Sequence, residues 1–94
     1  MNPMYAITIS IRGTDAETSL REDVDTTVEV LRAGLDGRVE PGRKVRWEIH
    51  CPSGRVTAGQ ITVYDPANTE RDVDRHLATV HQILTEEATD AART

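Results

Sequence analysis

Phenylalanine is missing from the 94 residues, and the aromatic side chains are confined to Tyr5, Trp47 and Tyr64. Such a chain must build its core from Val, Leu, Ile and Ala, and it lacks the paired aromatics with which an open sheet stacks on RNA bases. Cysteine occurs once, at Cys51, so no internal disulfide can form. No apolar run approaches the roughly 18 residues that a membrane span requires. The opening "MNPMYAITIS" has no basic stretch leading into an apolar one, so the chain reads as cytoplasmic. Glycine-rich phosphate loops are absent as well, since "EPGRK" and "CPSGR" hold one glycine each. Lysine is nearly absent: Lys44 stands alone against ten arginines, a bias that fits a GC-rich coding sequence better than phosphate chemistry.

What is present is one domain's worth of chain, spanning residues 1–89, with 90–94 expected to be a disordered tail. Charge is unevenly spread. The net charge is −5. Residues 1–37 carry three positive and seven negative side chains, residues 38–58 five positive and two negative, and residues 59–94 three and seven again. A basic centre thus lies between acidic flanks.

"YAITISIR", Tyr5 to Arg12, alternates apolar Tyr5, Ile7, Ile9 and Ile11 with Ala6, Thr8, Ser10 and Arg12, the mark of a strand with one buried face. From Asp15 to Leu35, Ala16, Leu20, Val24, Val28, Leu31 and Leu35 recur in steps of four and three and predict a helix, capped at Thr14 and stopped by Gly34 or Gly37. Its first half, "ETSLREDVDTT", is poor in helix formers, and Ser19–Glu22 and Thr26–Glu29 offer rival capping boxes. The alternative is a helix that begins at Thr26, with Thr18 to Val24 as a second strand hairpinned to the first. That order of elements is similar to a ubiquitin-like β-grasp.

Pro41-Gly42 suits the centre of a type II turn. The strand after it alternates Val45, Trp47, Ile49 and Cys51 with Lys44, Arg46, Glu48 and His50, and after Pro52-Ser53-Gly54 its partner returns as "VTAGQITVY", with a bulge expected at Gly59. Asp65-Pro66 opens a last helix, which buries Val73, Leu77, Val80, Leu84 and Ala88. The fold class is then α+β: a two-layer α/β sandwich of order β-α-β-β-α, a small sheet with two helices on one face. If the first two strands pair directly across the helix, a right-handed crossover makes them parallel.

The candidate site is the outward half of "RKVRWEIHCPSGR". Arg12, Arg43, Lys44, Arg46, His50 and Arg55 form a basic set that would contact an anionic partner. Strand parity sends Trp47 to the core and sets His50 and Cys51 on opposite faces, which is unfit for a nucleophile–base pair. A partner for Cys51 from elsewhere, His76 or His81, stays open. His76 and His81 lie about 140° apart round a helix, the wrong spacing to chelate one metal; Asp72 and His76 suit a surface pair. No cofactor or metal is expected, and no catalytic constellation stands out. The reading is a small, acidic, cytoplasmic, non-catalytic protein-interaction or regulatory module, of accessory, antitoxin-like or immunity-like type, with a protein partner, a homodimer as its expected assembly, and no membrane. The alternative is a nucleic-acid-binding protein that uses Arg43 to Arg55.

Overall fold

The computed structural model of the chain describes residues 4–11 and 17–93. Two antiparallel hairpins, each followed by a helix, make up the element order: β1 (Tyr5–Ser10), β2 (Glu17–Arg21), α1 (Val24–Asp36), β3 (Lys44–His50), β4 (Val56–Thr62), a short 3₁₀ turn at Pro66–Asn68, and α2 (Thr69–Arg93). The strands form one sheet in the order β2-β1-β3-β4, antiparallel at every junction. This is the two-layer α+β sandwich, with four strands rather than three and with the N-terminal hairpin of the alternative reading.

The extra strand corrects the long first helix. Leu20 would lie on the buried stripe of such a helix, yet it is 51% exposed and lies on the outer face of the sheet. Thr, Ser, Asp and Val in "ETSLREDVDTT" weaken a helix there, whereas the backbone of "ETSLR" completes a ladder with β1 from Tyr5↔Arg21 to Ile9↔Glu17, helped by a 3.2 Å hydrogen bond between the Thr8 and Thr18 hydroxyls. The helix begins only at Val24 rather than at Asp15, behind Asp23, whose carboxylate accepts the Thr26 N–H at 2.8 Å. Because the hairpin reverses the chain before α1, β1 and β3 run antiparallel, not parallel. The parallel relation belongs to β2 and β3, with β1 between them. The proposed cap at Thr14, like Arg12, lies outside the described residues.

Gly37 ends α1, as expected. Gly34 serves a different purpose: a Cβ there would come within 2.1 Å of Ile9 Cδ1, so the missing side chain lets α1 settle onto β1. Glu40-Pro41-Gly42-Arg43 is the expected turn, with the Arg43 N–H bonded to Glu40 O at 3.0 Å and Gly42 at φ 77°. Asp65 caps the 3₁₀ turn through the Ala67 N–H at 3.0 Å, Pro66 occupies its first position, and α2 proper starts at Thr69. The helix continues through Arg93, across the segment for which a tail was expected.

Both helices cover the face that carries Tyr5, Ile7, Ile9, Val45, Trp47, Ile49, Cys51, Ile61 and Val63, all buried. Against them pack Leu31 and Leu35 from α1 and Val73, Leu77, Val80 and Leu84 from α2. Burying each such aliphatic side chain contributes about 1.5–3 kcal/mol, which is the main attraction between the layers. Thr27, fully buried on α1, satisfies its hydroxyl by donating to Asp23 O at 2.7 Å. The helices are also tied to each other at the surface by Arg32–Asp74 at 2.6 Å and His81–Asp25 at 2.8 Å.

Candidate functional site

The face left open by this architecture is the outer side of the sheet. Period-two alternation assigns it Leu20 and Thr18 from β2, Ala6, Thr8 and Ser10 from β1, Lys44, Arg46, Glu48 and His50 from β3, and Val56, Ala58 and Gln60 from β4. Half of these side chains are short, and those of β1 and β4 lie lower than the long row Lys44, Arg46, Glu48 and His50 on β3. A shallow groove of ≈ 240 Å³ crosses it between Thr8, Ser10, Arg46, Glu48 and Ala58. Lys44 and Arg46 extend into solvent and have no ion-pair partner among the described residues. Glu48 stands between them and His50, 3.5 Å from the His50 ring.

The six residues singled out from the sequence therefore separate. Lys44, Arg46 and His50 share the open face. Arg43 sits in the preceding turn, where its guanidinium pairs with Glu40 at 2.6 Å and donates to Arg38 O at 3.1 Å. Arg55 falls opposite Cys51, because the Cys51 N–H donates to Arg55 O at 2.8 Å, and so it takes the helix-facing parity. Arg12 is outside the described residues. On the open face the cationic cluster shrinks to a row along β3, interrupted by Glu48.

Trp47 is core, 4% exposed, and its indole lies across Gly59 of β4. A Cβ on Gly59 would meet Trp47 Cζ2 at 2.5 Å; the glycine is there to admit the ring, and β3 and β4 stay in unbroken register without a bulge. The Trp47 Nε1–H donates to His76 Nε2 at 2.8 Å, with the rings edge to face. His76 therefore presents an unprotonated Nε2, and burial holds its pKa below the usual histidine value. The expected surface partner, Asp72, lies instead 3.9 Å from Arg71. His81 turns the other way, to Asp25 on α1.

His50 and Cys51 do take opposite faces: His50 is exposed and Cys51 buried. The surroundings of Cys51 were not legible beforehand. Glu87 of α2 is buried beside it and accepts a hydrogen bond from the Ser53 hydroxyl. Burial pushes the Cys51 thiol up, the Glu87 charge raises it further, and a Thr57 hydrogen bond opposes them, so the thiol stays protonated near neutrality. Burial likewise raises the Tyr5 phenol, with smaller contributions from Cys51, Glu87 and Asp23. Glu87 lies three residues beyond Leu84, on the buried stripe, a position that periodicity marks and charge argues against. Ala88, expected there, is half-buried.

Among the described residues no group of His, Cys, Asp and Glu is arranged to hold a metal ion, and no helix is long and apolar enough to cross a membrane. In comparisons with protein-family models, curated proteins and solved structures, the chain has no match.

Proposed function

We propose that this protein is a small, non-catalytic, cytoplasmic interaction module of regulatory type that docks a partner protein on the open face of its sheet. The observation that carries the reading is the composition of that face: short hydroxylated and methyl side chains on β1 and β4 beside the cations Lys44 and Arg46 of β3, which have no ion-pair partner among the described residues. A partner surface that presents carboxylates fits it, because opposite charges steer encounter and small side chains allow close approach. A non-catalytic role is supported by the burial and raised pKa of Cys51 and by the engagement of His76 with Trp47. Nucleic acid is the weaker reading: Arg43 and Arg55 leave the row, and Glu48 adds a negative charge to it.

The test is capture from a cell extract with the wild type and with Lys44→Ser/Arg46→Ser, both checked for folding by circular dichroism. The expected outcome is a protein retained by the wild type, resistant to nuclease, and lost with the double variant. A partner that binds both forms equally, or material released by nuclease, would refute the reading.

A further inference from the structure

The sheet has two edges of opposite character. β2 is five residues long, and its sequence, ETSLR, carries Glu17 and Arg21. β4 is seven residues long, reads VTAGQIT, and pairs with β3 without interruption from Val56 to Thr62. Short length, charge, proline and bulges are the features that keep a sheet edge from pairing with another chain. β2 has the first two, and β4 has none.

The direction of the free groups on β4 follows from its ladder. Arg55 bonds toward Cys51 on the β3 side, and in antiparallel pairing the direction alternates with each residue. Val56, Ala58, Gln60 and Thr62 therefore aim their N–H and C=O groups outward, away from β3. Val56, Ala58 and Gln60 are exposed, and at the Thr62 end a groove of ≈ 310 Å³ runs between β4 and α2, bounded by Ile61, Thr62, Asp72, Arg75, His76 and Thr79. Two of the exposed large apolar side chains flank this edge, Val56 on β4 and Ile83 on the same side of α2 as His76 and Thr79.

We infer that β4 is the strand through which two copies of this chain associate, antiparallel about a two-fold axis at Gly59. That axis sets Val56 against the second copy's Thr62 and Ala58 against its Gln60. Every outward-aimed residue then falls in a hydrogen-bonded pair, and at the crossing point two glycines meet without side chains. Charge selects a second copy as the occupant. With a net charge of −5, most surfaces of the molecule repel their own image. β4 brings no charge, and the groove beside it is bounded by one acid, Asp72, and one base, Arg75, so self-approach is least opposed here. The product is one sheet running through both copies, with their open faces side by side. The inference does not depend on the docking role proposed for those faces.

Sedimentation equilibrium over a wide concentration range tests it. The wild type should reach twice the chain mass. Ala58→Pro removes an outward N–H while leaving the bonds to β3 intact, a placement that edge strands tolerate, and Gln60→Lys supplies the missing charge. Each should raise the dimer dissociation constant about tenfold or more, whereas Leu20→Lys beside the β2 edge should not change it. Amide exchange at Ala58 and Gln60 should slow as the protein concentration rises. A monomer mass at every concentration, or a dimer of undiminished stability in Gln60→Lys, overturns the inference; the lysine variant decides it if the proline variant fails to fold.

Discussion

Replacing Gly59 by alanine should damage this protein far more than the addition of one methyl group suggests. The new Cβ would lie 2.5 Å from Trp47 Cζ2 and 2.9 Å from Cε2, closer than carbon atoms can approach. The indole cannot simply move off, because it is buried in the core and bonded to His76. Overpacking of this kind costs about 1–3 kcal/mol. A displaced Nε1–H that loses His76 adds about 0.5–1.5 kcal/mol. Alanine recovers about 0.4–1 kcal/mol by restricting the unfolded chain. On balance, Gly59→Ala should be destabilised by about 0.5–4 kcal/mol. The assay is urea unfolding followed by the fluorescence of Trp47, the single tryptophan, at one fixed protein concentration. Gly37→Ala is the control: a Cβ there meets nothing within 4 Å and φ is −85°, so it should be neutral or slightly stabilising. If Gly59→Ala is as stable as the wild type, the account of how Trp47 packs is refuted.

Two further outcomes follow from the buried titratable groups. His76 has a folded pKa below its unfolded value of 6.5, so stability is complete above about pH 6.5 and falls as the pH drops from there toward the depressed folded value, where the unfolded state binds the proton and the folded state does not. Unfolding free energies measured across that window should decline with falling pH in the wild type and less so in His76→Phe; identical slopes would count against the Trp47–His76 bond as a pH-sensitive contact. Cys51 should react with a thiol reagent at neutral pH far more slowly in the native protein than in urea, since it is buried and its thiol is held protonated. A native rate equal to that of the unfolded chain would show the site to be open.

Much of the open face was legible because strand parity is rigid. With β3 recognised, Lys44, Arg46 and His50 had to share one side and Trp47 the other, whatever the rest of the chain did. Arg43 and Arg55 lie at the ends of that run, where a turn overrides alternation, and their departure to Glu40 and to the Cys51 side needed the turn geometry. Gly59 presented itself as a bulge because a glycine in a strand has two physical meanings, an extra residue or a close approach; the choice depended on which side chain lay opposite, and that was Trp47.

The sequence by itself determined the elements whose signal is periodic and undisputed: β1, β3, β4, the second half of α1, and the stripe of α2 from Val73 to Leu84. It also determined that both helices lie on one face, since the apolar sets of the strands leave no second buried side. Tertiary structure decided residues 17–23, where a helical spacing of apolar residues competed with the ladder offered by β1 and the ladder prevailed. It likewise decided the antiparallel course of β1 and β3, the burial of Glu87 beside Ser53 and Cys51, and which edge of the sheet remained unprotected. Periodicity reports which side of an element faces the core, but strand order, register and the neighbours of a buried polar group arise from contacts between residues far apart in the chain, and one element's pattern holds no record of them.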